Sequence, residues 1–164
     1  MNAAHRMNEP IWIDEADALG IHDRLLADLA LADRALADPP PALGGSGGVR
    51  DASALRSALA RPLQHRADAS GPDIIDLAAA YSADIVRHRP FTHGNELTGF
   101  VIAILFLELN GYRFKASEAD AAQAMLELAG GTLEEAQFSA FLRAHAKIAW
   151  AQFGAGGNAT SRTT

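Results

Sequence analysis

Several common features are missing from this 164-residue chain. It contains no cysteine, which excludes disulfides, thiolate zinc ligands and cysteine nucleophiles. Its longest apolar run, Phe100 to Leu107, has the length of a buried helix rather than of a membrane span. The first ten residues lack the apolar block of a signal peptide. We therefore expect a cytoplasmic protein without a membrane segment.

Positive charge is also scarce, because 14 Lys and Arg stand against 20 Asp and Glu and give a formal net charge of −6. A surface that binds nucleic acid generally needs the opposite balance. We therefore expect no nucleic-acid partner. A cluster of arginines in the middle of the chain is interpreted as solvated helix faces and helix ends rather than as a local basic patch: Arg56, Arg61, Arg66, Arg87 and Arg89.

What the chain does have is helical periodicity, with a hydrophobic content of 49% that is ordinary for a globular domain. Capping residues and breakers predict an all-α domain of about six helices. The predicted helices run from Asp14 to about Asp38, from Asp51 to just before Pro62, from about Asp73 to Arg89, from Asn95 to about Asn110, from Ser117 to Gly130, and from Thr132 onward. The helix at about 95–110 is apolar on all sides between Phe100 and Leu107, which places it at the buried centre of a compact bundle.

The composition also predicts the limits of the domain. Residues 1–10 are expected to be flexible, residues 11–150 to form the domain, and residues 151–164 to be a disordered tail rich in Gly, Ser and Thr. The run Gly44 to Gly48 is expected to be a mobile loop, and no Lys-Ser/Thr follows it as in a P-loop.

The stretch from Arg89 to Leu97 reads Arg-Pro-Phe-Thr-His-Gly-Asn-Glu-Leu and leads into the apolar helix. It closely resembles the active-site loop of the Fic/Doc proteins, in particular their death-on-curing branch. That family's motif is His-Pro-Phe, one residue, an acidic residue, Gly-Asn and then Lys-Arg. The resemblance continues, in order, over about residues 11–147. It includes Ile21-His22-Asp23, Gly47 to Pro62, Asp76 to Tyr81 and Phe106 to Tyr112.

The resemblance implies a helical Fic fold with a cleft above the loop. Members of the family transfer an AMP or phosphoryl group from a nucleoside triphosphate to a hydroxyl of a target protein. In death-on-curing toxins the donor is ATP, the target is a translation elongation factor, and a small antitoxin blocks the cleft. The resemblance thus implies ATP and magnesium as cofactors, and an antitoxin-like small protein and a protein target as partners.

Two positions of the motif that bear on catalysis are changed in this chain. Arg89 stands where the family has the histidine that accepts the proton of the attacking hydroxyl, and an arginine offers no lone pair for that role. The neighbouring His88 is interpreted as a charge at a helix C-terminus rather than as a displaced base. His93 stands where the family has its acidic magnesium ligand, and Mg²⁺ prefers carboxylates. His88 and His93 without a third ligand do not make a transition-metal site, so no metal is predicted.

The phosphate-binding end of the motif is mixed. Gly94 and Asn95 are kept, and they predict free backbone N–H groups at a helix N-terminus, where anions bind. Glu96 and Leu97 replace Lys-Arg, which adds a negative charge and removes a guanidinium. With Arg89 reaching the same anion from the other side, one weak anion site is expected. The alternative role of Asn95 is simply that of the helix N-cap.

Three interpretations follow. The favoured one is a degenerate Fic/Doc protein that has lost its transferase activity and acts by binding a partner. The second is an active transferase with altered chemistry, in which Arg89 stabilises a phosphoryl group and His93 acts as the base. The third is a stable relic domain without a function.

Overall fold

The structure, a computed structural model, describes residues 9–36, 48–67 and 71–149, and for residues 32–36 it describes the backbone alone. In these ranges the chain forms six helices and a two-stranded sheet. The elements are α1 (Glu15–Leu36), α2 (Ala52–Arg66), α3 (Ile74–His88), α4 (Asn95–Leu109), β1 (Tyr112–Phe114), α5 (Glu118–Ala129), α6 (Glu135–His145) and β2 (Ala146–Ile148). This confirms the all-α prediction. The predictions for the N-terminal segment up to residue 8, for Gly44 to Gly47 and for the tail lie outside the described residues.

Most helix starts follow from local capping chemistry. The Asp51 carboxylate accepts from the Ala54 amide and starts α2, and Ser117 accepts from the Asp120 amide and starts α5. Asp73 and Asp76 form a reciprocal capping box at the start of α3. Each of these bonds satisfies an N–H that the helix itself leaves unpaired, which is why the sequence predicts these starts well.

Two predicted boundaries are wrong. Helix α2 does not stop before Pro62 but continues through it to Arg66. Proline costs a helix one hydrogen bond; here the ring lies buried, and its packing offsets that loss. The last helix starts at Glu135 rather than at Thr132, because Glu134 and Gln137 form its capping box.

The centre of the molecule is formed by α3 and α4 together. None of the residues from Phe100 to Leu107 is exposed, as predicted for α4. Helix α3 is buried from Leu77 to Val86 and contacts α2, α4, α5 and α6. Gly99 allows the two central helices to approach closely, since a Cβ there would lie 3.1 Å from the Ser82 carbonyl oxygen. The loop joining α3 to α4 is therefore held between two buried helices.

A short antiparallel sheet closes the other end of α4. Tyr112 pairs with Ile148, Arg113 with Lys147 and Phe114 with Ala146. Strand β2 was not predicted, because its three residues show no pattern distinct from the end of a helix. Within the described residues, no helix is both long enough and apolar enough to cross a bilayer.

Candidate functional site at the loop between α3 and α4

Arg89 is the C-cap that follows α3, and its backbone is left-handed, with φ 47° and ψ 57°. Its amide still donates to the Ile85 carbonyl and caps the helix. This conformation usually belongs to glycine, because a Cβ crowds the following carbonyl there. The left-handed turn changes the direction of the chain sharply, and the loop that follows leads to the N-terminus of α4.

The segment before α2 lies alongside this loop and pairs with it. Val49 and Phe91 form an antiparallel bridge, and the Thr92 amide donates to the Gly48 carbonyl over 3.0 Å. The Pro90 carbonyl accepts from two successive amides at residues 50 and 51, at 2.7 and 3.0 Å. The loop backbone is therefore fixed from outside by a segment about forty residues earlier in the chain.

The side chain of Arg50 strengthens this contact. Its guanidinium donates to the Arg89 carbonyl at 2.7 and 3.0 Å and to the His88 carbonyl at 3.2 Å. These carbonyls form the negative end of α3, where a cation is stabilising. Sequence reasoning missed this role of Arg50, which lies in a segment of the resemblance but has no spacing that indicates a contact with residue 89.

Asn95 closes the loop, and the prediction that it caps α4 is wrong. The N-cap is Gly94, with φ 72° and no side-chain cap, and Asn95 is the first residue of the helix. The Asn95 amide group instead accepts from the Phe91 N–H and donates to the Phe91 carbonyl, both at 2.9 Å. Because Asn95 is fully buried, this pair of bonds locks residues 91–95 into one turn.

The two changed charges of the loop contact each other. The Arg89 guanidinium donates to the Glu96 carboxylate over 2.7 Å, with the two side chains 54% and 28% exposed. The arginine thus reaches the N-terminus of α4 and meets a carboxylate of the protein itself. A bound anion at this place has to compete with Glu96 for Arg89.

The remaining loop positions lie apart from this pair. His93 is exposed on the loop, and among the described residues its ring has no hydrogen-bond partner. His88 is exposed in the last turn of α3, and Leu97 is half-buried in the first turn of α4. No group of three or more His, Asp or Glu side chains in the described ranges is arranged to hold a metal ion.

A buried histidine of α1 packs against the loop from the side of the core. The His22 ring, 1% exposed, stacks on the Phe91 ring at a centroid distance of 3.8 Å, and its Nδ1 lies 3.0 Å from the Thr98 hydroxyl. A Cβ on Gly94 would come within 3.8 Å of the same ring. The sequence places His22 on the inner face of α1, but nothing local indicates that this face meets the loop.

A groove of about 640 Å³ adjoins the loop on the other side of Arg89. Its floor is apolar, from Ala83, Val86, Leu128 and Leu133, and charged residues of α3 and α6 form its edges. Beside it the buried Asp84 binds Arg61 at 2.7 Å and Arg87 at 3.0 Å. Burial raises the pKa of Asp84, although both arginines oppose the shift.

Fold and loop together define an all-helical domain that carries its candidate site between two buried helices. A comparison with family models matches the Fic/DOC family over residues 12–107, and the chain belongs to this family. The matched range contains the segment around Arg50, the whole loop and His22. No curated protein sequence matches the chain.

Proposed function

We propose that this chain is a Fic-like protein of the death-on-curing, toxin–antitoxin type that acts by binding a protein at the loop. Its inherited transfer of an AMP or phosphoryl group is impaired. One observation carries the proposal, the 2.7 Å ion pair between Arg89 and Glu96. These residues occupy the positions of the family's histidine and of its phosphate-binding lysine, and they neutralise each other.

The loss of the proton acceptor is the first argument. A general base contributes about 10²–10⁴-fold to a rate and needs a lone pair at working pH. Arg89 has none, and its guanidinium is engaged with Glu96. His88 is no substitute, because it lies on the exposed side of the last turn of α3.

Magnesium and phosphate are the second argument. Mg²⁺ requires hard oxygen ligands, and the loop offers the imidazole of His93 and a carboxylate, Glu96, that is already paired. At the N-terminus of α4 the Glu96 charge opposes a phosphate, and Leu97 has no group to bind one. The residues present therefore do not fit magnesium-bound ATP.

The contacts that fix the loop in one conformation support a binding role over a relic domain. Arg50 fixes its start, Asn95 closes its turn, and His22 supports it from the core. A surface that presents Thr92 and His93 in one conformation binds a partner at a lower entropic cost than a mobile loop does. The proposed partner is an antitoxin-like small protein or a former target.

Enzymatic activity is tested by incubating the protein with Mg-ATP, labelled in separate samples at the α- and γ-phosphate, and with a cell lysate. We expect no protein to become labelled, and we expect calorimetry to show no ATP binding at millimolar concentration. A variant with Arg89→His, His93→Asp, Glu96→Lys and Leu97→Arg restores the family motif and shows whether the scaffold still supports transfer.

The matched control is His93→Ala. If the natural chain labels a protein and this substitution abolishes the labelling, the chain is the altered enzyme that uses Arg89 and His93, and the proposal fails.

Partner binding is tested by mixing the full chain with the protein product of a short reading frame next to the gene and separating the mixture by size-exclusion chromatography. We expect a complex that His93→Arg weakens, because residue 93 lies exposed on the loop. Arg24→Gln, an exposed change on α1, should leave the complex intact. A complex indifferent to His93→Arg would place the interface elsewhere.

A further inference from the structure

The sheet formed by β1 and β2 presents a basic face in an acidic protein. Strands alternate their side chains, so Arg113 and the next-but-one residue Lys115 lie on one face. Arg113 pairs with Lys147, and the Lys115 amide donates to the His145 carbonyl, which extends the ladder by one step. The four side chains of Arg113, Lys115, His145 and Lys147 thus share one face, and the opposite face packs on the core through Phe114.

These side chains line a common hollow of about 360 Å³, together with Ala144. Among the described residues, no carboxylate lines it. Within the described residues, neither Arg113 nor either lysine forms an ion pair, although the chain carries a net charge of −6. Lys115 and Lys147 are also the only two lysines of the whole sequence.

The pairing of Arg113 with Lys147 is unfavourable by itself. Like charges directly opposite each other on one face of a sheet repel, and an opposite charge at either position would stabilise the pair. An anion placed between the two removes the repulsion. The arrangement is therefore better suited to a ligand than to the stability of the sheet.

His145 lies on the same rim, but its ring proton is used within α6. Its Nδ1 lies 2.9 Å from the Phe141 carbonyl, which favours the tautomer with its proton there. The ring also borders a second hollow that contains Asp120 and Glu127, where Ser117 donates to Asp120 and Gln123 to Glu127. The acidic side chains thus border a separate hollow, which shares His145 with the basic one.

We propose that this face is an anion site for two adjacent phosphate groups of a small molecule. One phosphate monoester carries a charge of about −1.5 to −2 near neutral pH, so two adjacent phosphates match three permanent cations. The hollow has the volume of a small-molecule site, and the acidic remainder of the chain repels a long polyanion.

This site is separate from the loop of the proposed function. The loop lies at the N-terminus of α4 and the sheet follows its C-terminus, and a helix of 15 residues separates them by roughly 20 Å. A negative result for one proposal therefore does not affect the other.

The test is a calorimetric titration of the full chain with inorganic pyrophosphate at low ionic strength. We expect saturable one-to-one binding that weakens about tenfold in Arg113→Gln and in Lys147→Gln, and that is abolished in the double variant. Arg24→Gln removes one positive charge from the exposed α1 surface and should change nothing.

Further titrations identify the source of the phosphates. Adenosine diphosphate that competes with pyrophosphate supports a small-molecule ligand. The proposal is wrong if pyrophosphate does not bind, or if the double variant binds pyrophosphate as well as the natural chain does. It is also wrong if a short single-stranded RNA or an acidic peptide binds and pyrophosphate cannot displace that ligand.

Discussion

At the scale of single residues, the loop between α3 and α4 combines a buried structural residue with partly exposed charges. Asn95 makes both of its hydrogen bonds to the backbone of Phe91, and it is as buried as any residue of the core. Arg89 and Glu96, in contrast, are partly exposed and pair with each other. Asn95 thus holds the loop backbone, whereas the side chains of Arg89 and Glu96 join the two ends of the loop.

Replacing Asn95 by alanine should therefore lower stability strongly. The substitution leaves the Phe91 N–H and carbonyl unpaired, and each unsatisfied buried group costs about 1–3 kcal/mol. We expect the free energy of unfolding to fall by about 2–4 kcal/mol, measured by urea denaturation. As a control, the exposed Gln64→Ala in α2 should change it by less than about 0.5 kcal/mol. A loss for Asn95→Ala as small as the control would show that water replaces these bonds and that the turn is not buried.

At the scale of helices and strands, local chemistry predicts the starts of elements but not their partners. Asp73 and Ser117 cap their helices through residues at most three positions away, so the sequence alone reveals them. Pro62 misled the prediction because its cost is local, whereas the burial that offsets it is tertiary. Arg50 and His22 escaped notice for the same reason, since each meets the loop from a distant part of the chain.

For the candidate site, too, the position was predicted but the contacts were not. The loop from Arg89 to Leu97 was located from its resemblance to a family, and the structure places it between two buried helices. The ion pair between Arg89 and Glu96 was not foreseen, because a spacing of seven residues across a turn has no fixed geometry in a sequence. Strand β2 was missed as well, since three residues pair only where another strand is already present.

Strand β2 offers a prediction at this scale. Lys147→Glu replaces a repulsive pair with an attractive one opposite Arg113, and such cross-strand pairs contribute about 0.2–1 kcal/mol. We expect the free energy of unfolding to rise by that amount at low salt, and the gain to shrink at high salt. The neutral Lys147→Gln should fall between the two. If Lys147→Glu were instead destabilising, the two side chains would not share a face, and the basic hollow would lose its basis.

At the scale of the whole molecule, ion pairs join the last helix to the centre. Arg143 of α6 contacts Asp73 at 2.6 Å and Asp76 at 3.2 Å, both at the start of α3. Arg61 of α2 contacts both Asp84 of α3 and Glu135 of α6 at 2.7 and 2.8 Å. These pairs join α6 to α2 and α3, which lie much earlier in the sequence, and together they fix α6 on α3 at both of its ends.

The pair between Asp73 and Arg143 makes stability depend on pH. Burial tends to raise the pKa of Asp73, but hydrogen bonds from Arg143 and from the amides of Asp76 and Ile75 outweigh it and lower the pKa below its ordinary value. A carboxyl whose pKa is lowered by folding stabilises the protein above its unfolded pKa, about 3.9, and loses that contribution as the pH falls through the folded value.

Asp73→Asn isolates this charge, because asparagine also caps a helix well and keeps an acceptor for the same amides. At pH 7 the variant should be less stable by about 0.2–1 kcal/mol, the range for a pair as exposed as this one. The difference should stay constant down to about pH 5 and vanish at the acid end, below the folded pKa. Chemical denaturation at a series of pH values measures it. A difference that persisted in acid, where the side chain is uncharged, would mean that Asp73 acts through the helix cap rather than through its charge, and that α6 is held on α3 without this ion pair.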